Sequence, residues 1–134
     1  MRVVLDTNIV LDAFVFDDPA TRPLKSALAA LQLEWIATKA MRYELARVLC
    51  YPKIVPRMAF YQVTASHVLA QFDGQATLVD TAPKAKVTCR DPDDQKFIDL
   101  AVSHQALLLS KDQAVLCMHK RLSGLSVKVQ KTVH

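Results

Sequence analysis

The stretch Arg2-Val3-Val4-Leu5-Asp6-Thr7-Asn8 constrains this chain more than any other. Branched apolar residues run without alternation into an acid and two small polar residues. Such a run suits a strand buried on both faces, as in parallel sheets covered by helices. Asp6 then falls at the strand's C-terminal end, the edge of an open α/β sheet where ligands bind. A carboxylate there is either a helix cap or a site residue. Leu107-Leu108-Leu109 is a second run of this kind, and it ends in Ser110-Lys111-Asp112.

Strands and helices alternate along the rest of the chain. A short helix is predicted over 9–16, broken by Asp17-Asp18-Pro19, and another over 23–31 with Leu24, Leu28 and Leu31 on one face. A strand over 34–37 leads into a helix capped by Thr38 and running to about residue 50. Residues 54–72 read as helical after Pro56, with Asp73-Gly74 as the stop, followed by a strand over 75–79 and a polar connection over 80–88. Asp91-Pro92 starts a helix to about residue 104, with Phe97, Ile98, Ala101 and Val102 inward. A helix over 113–120 and a strand over 126–129 complete the chain. The alternation predicts an α/β three-layer sandwich: a central, largely parallel sheet of about five strands with helices on both faces. With 134 residues, no repeat and no linker, one domain over 1–134 is expected.

Composition removes several function classes. Hydrophobic residues at 51% and charged residues at 22% support a packed core and argue against disorder. The only glycines are Gly74 and Gly124, so neither a Gly-x-Gly-x-x-Gly turn nor a P-loop can be built. A phosphate would have to be held by side chains or metal. Cys50, Cys89 and Cys117 are far apart and odd in number, and the four histidines form no i, i+4 pair. A zinc site or disulfide framework is therefore not indicated. No apolar run approaches the roughly 18–20 residues of a membrane span. The N-terminus lacks a leader pattern, so the expectation is a cytoplasmic protein without a membrane partner. The net charge of +4 permits a polyanionic partner.

The acids are unevenly placed. Asp6, Asp112 and the cluster Asp91, Asp93, Asp94 are all expected at one sheet edge, because each following helix begins where a strand delivers the chain. Glu44 shares its helix with Met41 and Val48 at offsets of three and four, so it can face inward with them. Singly, each acid has another role. Asp6, Asp91 and Asp112 could cap helices, Asp93 and Asp94 suit a helix dipole, Glu44 could pair with Arg42 or Arg47, and Asp99 could be solvated mid-helix. Together, carboxylates converging without a base would repel. A divalent cation relieves that, and an all-oxygen ligand set suits Mg²⁺ or Mn²⁺. Such a site can activate water against a phosphodiester. A basic chain with one acidic pocket has the electrostatic layout of a metal-dependent nuclease.

Val3-Val4-Leu5-Asp6-Thr7-Asn8 resembles the opening motif of PIN-domain ribonucleases. Tyr43-Glu44-Leu45 with Tyr51-Pro52-Lys53, Asp91-Pro92-Asp93-Asp94-Gln95-Lys96-Phe97, and Leu109-Ser110-Lys111-Asp112 resemble the second, third and fourth. The resemblance is nearest to the toxin components of toxin–antitoxin pairs. It implies the PIN fold, Mg²⁺- or Mn²⁺-dependent endoribonuclease activity, an RNA substrate and an antitoxin partner. It further implies Asp6, Glu44, Asp94 and Asp112 as the catalytic, metal-holding acids, with Asp93 and Asp99 in reserve and Asn8 and Ser110 as polar neighbours. The cap role at Asp6 would then pass to Thr7 or Asn8. Gln95 stands where this branch often has a further Asp, and Lys111 where it often has Gly. Proximity in sequence offers Lys96 and Lys111, and after them Arg2, Lys39 and Arg42, as phosphate contacts. Met58, Phe60 and Tyr61 could serve a homodimer or the core of their own helix. The rival readings are a non-catalytic RNA- or protein-binding module of the same fold, and a phosphatase with Asp6 as nucleophile. Asn8 breaks the Asp-x-Asp start that such phosphatases use.

Overall fold

A computed structural model of the chain describes residues 1–133. Strand β1 (Arg2–Leu5) is the middle of a five-stranded sheet, with β2 (Glu34–Ala37) on one side and β4 (Leu107–Leu109) on the other. Strands β3 (Ala76–Leu78) and β5 (Val129–Gln130) form the edges, giving the order β3-β2-β1-β4-β5. Every pairing is parallel, and Val3, Val4 and Leu5 stand beside Leu107, Leu108 and Leu109. All six of these side chains are buried, the environment that unalternating apolar runs demand. The expected α/β class and parallel sheet are therefore present.

Among the described residues, eight helices surround the sheet: α1 (Thr7–Phe14), α2 (Arg22–Ala29), α3 (Lys39–Val48), α4 (Val55–Phe60), α5 (Ala65–Gln75), α6 (Gln95–His104), α7 (Gln113–Leu116) and α8 (His119–Ser123). Single 3₁₀ turns at Pro19–Thr21 and Pro92–Asp94 lead into α2 and α6. The chain steps outward from β1 through β2 to β3, then returns to the other side of β1 as β4. Direction therefore reverses between β1 and β4, and the reversal leaves a crevice at the strands' C-terminal ends. Trp35 anchors the core, stacked on Phe14 at 5.8 Å and meeting the edge of Phe72 at 5.1 Å.

Several boundaries differ from the sequence expectation. Residues 54–72 form two helices, not one. Helix α4 ends at Phe60, Gln62 turns left-handed at φ 57°, and the Thr64 hydroxyl opens α5 by accepting from the His67 amide at 3.1 Å. Asp73-Gly74 does not stop α5, which continues to Gln75. Asp73 instead takes Arg42 in two hydrogen bonds of 2.7 and 2.8 Å. Leu31 does not share the face of Leu24 and Leu28; it lies beyond α2 at φ 59° and is 88% exposed. The helix expected over 113–120 is split into α7 and α8 at Cys117-Met118, and β5 begins after Ser126, itself left-handed at φ 63°. Met58 turns into the core, while Phe60 and Tyr61 stay outside.

Candidate metal centre

The strand ends bring the acids together through one buried hydroxyl. The Asp6 amide donates to the Leu109 carbonyl at 3.1 Å, which extends the β1–β4 ladder to the first acid. Ser110, the next residue on the β4 side, is fully buried and donates its hydroxyl to Asp6 Oδ2. The same Oγ accepts the Asp112 amide at 3.0 Å, so Ser110 positions both acids. Asp6 is only 3% exposed. Burial raises its carboxyl above the ordinary range, and the charge of Asp112 adds to this. The bonds from Ser110 and the Ile9 amide act in the opposite direction.

Asp6 itself caps α1, its Oδ1 accepting from Ile9 N at 3.1 Å. The expectation that Thr7 or Asn8 would take over as cap is therefore corrected. A carboxylate has two oxygens, and Asp6 caps with one while facing Ser110 with the other. Thr7 donates to Glu44 Oε2 instead. Asn8 is exposed on α1.

The acids of the third motif occupy the turn before α6. Asp91 caps the 3₁₀ turn, accepting from the Asp93 amide at 3.0 Å, and Asp94 ends that turn. Asp91, Asp94 and Asp112 each offer one oxygen within 4.8 Å of the others. Asp94 Oδ2 is buried and finds no hydrogen-bond partner among the described residues. Burial first, then its hydrogen bond with Asp112 and the charges of Asp112, Asp91 and Asp6, push the Asp94 carboxyl up to about 8. Two ionised carboxylates offer each other no donor. Burial and the neighbouring carboxylates therefore favour the protonated form of Asp94 well above the ordinary carboxylate range.

Asp93 is exposed, and its carbonyl, not its carboxylate, is used: Lys96 Nζ reaches it at 2.5 Å. Asp99 is not solvated as expected. Its Oδ1 accepts the Ala85 amide at 2.9 Å and Gln95 Nε2 at 2.7 Å. Gln95 also receives the Cys89 amide at 2.6 Å, so the Gln95–Asp99 pair ties the 80–90 connection to α6, outside the acid group. Glu44 comes in from α3 at the rim. Lys96 Nζ lies 2.7 Å from its Oε1, so a base does neutralise this acid, and it is neither Arg42 nor Arg47.

The other basic candidates fare differently. Arg2 sits at the opposite end of β1, with Glu34 at 3.6 Å and His104 at 3.2 Å, away from the acids. Lys111 is paired with Asp12 of α1 at 2.5 Å. Arg42 is held by Asp73, and Lys39 is exposed at the start of α3. Asp91, Thr7 and Asp12 are the residues that sequence reasoning undervalued. A buried acid in an otherwise apolar helix, such as Asp12, signals a cation partner in the fold.

The family model described as PIN domain matches residues 2–114, from β1 into α7, and the chain belongs to that family. PIN domains are in general metal-dependent nucleases, and the group Asp91, Asp94 and Asp112 is a possible metal site. No curated protein matches the sequence.

Proposed function

We propose that this protein is a Mg²⁺- or Mn²⁺-dependent endoribonuclease that acts as the toxin of a toxin–antitoxin pair. The observation that carries the metal centre is Asp94 Oδ2, buried without a donor and surrounded by carboxylates. Burying an acceptor without a partner is costly, and a hard cation satisfies it where no protein donor does. The donors present fit such an ion: all are carboxylate oxygens, the set that suits Mg²⁺ or Mn²⁺. Asp6, Asp94 and Asp112 would hold it, with Asp91 beside them and Glu44 at the rim. When bound, the ion lowers the pKa of water and offsets charge on the phosphodiester.

The chain's own groups prepare that chemistry. Ser110 fixes the spacing of Asp6 and Asp112. The Ile9 amide keeps one oxygen of Asp6 as a cap, so only the other faces the site. Thr7 and Lys96 hold the two oxygens of Glu44. Lys96, held by Glu44 and the Asp93 carbonyl, would meet a backbone phosphate.

RNA as substrate and an antitoxin partner follow from the toxin-like motifs; a cytoplasmic site of action and a homodimer through exposed Phe60 and Tyr61 belong to the same proposal. Titration calorimetry with Mn²⁺ and cleavage of single-stranded RNA test it together. Asp94→Asn should lose both metal binding and cleavage, and Asp93→Asn should keep both. Cleavage by Asp94→Asn at the parent rate would sink the mechanism. Expression should arrest growth of the host, and Asp94→Asn should relieve the arrest.

A further inference from the structure

An open cleft lies between α1 and α4. Asn8, Leu11 and Asp12 of α1 and Phe16 just beyond its end, with Ile54, Arg57 and Lys111, line this groove of about 270 Å³. Asn8 lies two residues past Asp6, and Lys111 lies between Ser110 and Asp112, so two of its lining residues are chain neighbours of the acids. Phe16, two residues past the end of α1, and Arg57 of α4 also line it.

The groove carries two cations in different states. Lys111 is compensated by Asp12 at 2.5 Å. The Arg57 guanidinium lies 3.8 Å from the centroid of the Phe16 ring, and it pairs with no carboxylate among the described residues. Tyr61 packs against Phe16 at 5.7 Å, and Phe60 against Tyr61 at 5.2 Å. Aromatic packing thus fixes an uncompensated guanidinium, which spares it the rotamer freedom an unstacked arginine loses on contact. A cleft of this size is small for ligand pockets, which run roughly 300–1,000 Å³, and it matches a sugar–phosphate unit better than a whole cofactor.

We infer that this α1–α4 groove is the track of a single RNA strand leaving the metal centre, with Arg57 contacting a backbone phosphate and Phe16 holding Arg57 in place. The occupant follows from charge complementarity and from continuity with the acid site. The inference rests on the ribonuclease reading, and it adds residues that none of the four acidic motifs contains. Arg57 is a positioning residue; it touches the strand away from the bond that is cut.

The test is steady-state cleavage of a short single-stranded RNA in Mn²⁺. Arg57→Glu should raise KM about tenfold or more, with kcat within about twofold. Arg57→Lys should recover most of the affinity. Arg57→Ala should reduce the slope of log affinity against log salt by about 0.7, the value of one lost single-strand phosphate contact. Lys128→Glu, in a separate cleft with Met1 and Gln105 at the N-terminal ends of the strands, should leave KM unchanged. Unaltered Mn²⁺ binding in Arg57→Glu shows the acid site intact. A parent-like KM and salt slope in Arg57→Glu would overturn the inference, as would an equal rise in KM in Lys128→Glu. So would an Arg57→Glu variant that keeps its RNA kinetics but loses an acidic peptide. A parent chain that neither binds nor cleaves RNA overturns the ribonuclease reading as well.

Discussion

Asp94 determines how the metal-free centre responds to pH. Its carboxyl titrates near the ordinary 3.8 in the unfolded chain and at about 8 in the fold. Between those values the unfolded chain binds fewer protons than the native one, so stability falls as pH rises through that window and levels off above it. Asp94 is partly exposed, so solvent screens its charge and moderates the slope. In EDTA, the melting temperature of the parent should therefore drop between pH 5 and 8. Asp94→Asn should flatten that profile, and a slope unchanged in the variant would refute the assignment. Ser110 gives the second test at this scale. Ser110→Ala leaves the part-buried Asp112 amide and the buried Asp6 Oδ2 without their shared partner, at a cost of about 1–3 kcal/mol by urea unfolding. It should also weaken Mn²⁺ binding by about 10–100-fold, because it holds the acids in place without touching the ion.

Among the elements, the helix ends show what a chain with two glycines must do. Left-handed residues at helix ends are usually glycine, yet here Leu31, Gln62 and Gln105 take φ values of 59°, 57° and 49°. Each carries a Cβ in a region costing about 1–2 kcal/mol for an L-residue. Gln105 is exposed and joins α6 to β4. Gln105→Gly should relieve that strain and, less the entropy of the added glycine, raise stability by up to about 1 kcal/mol in urea unfolding. A loss of stability would show that the Gln105 side chain contributes more than its backbone costs. The sequence concealed these breaks. Apolar periodicity continues from Ile54 to Phe72, and only the fold shows the break at left-handed Gln62, with Met58 before it and Val68 after it both buried.

At the scale of the whole molecule, the centre joins residues far apart in the chain. Asp6 follows β1, Asp94 precedes α6 and Asp112 follows β4, so one ion would tie the two central strands to the helix packed on them. An ion that binds only the folded state stabilises by mass action, about 2.7 kcal/mol at a hundredfold excess over its Kd. Saturating Mn²⁺ should therefore raise the melting temperature, and more at pH 8 than at pH 5, because at the lower pH the ion must displace the Asp94 proton. No such rise at either pH would argue that the carboxylates are structural.

Local pattern alone determined the parallel sheet and the edge on which its acids gather. A strand covered on both faces needs an unbroken apolar run, and Val3–Leu5 and Leu107–Leu109 supply it. The four acidic motifs were equally legible, because their residue types and order lie in the chain itself. The partners of those acids were decided by tertiary structure. Lys96 meets Glu44, Lys111 meets Asp12, Arg42 meets Asp73 and Ser110 bridges Asp6 to Asp112, across separations that no local spacing encodes. Charge and hydrogen-bond pairing depend on distances of a few ångströms. Those distances exist only once β1 and β4 lie side by side, and that juxtaposition left Asp94 Oδ2 buried without a donor.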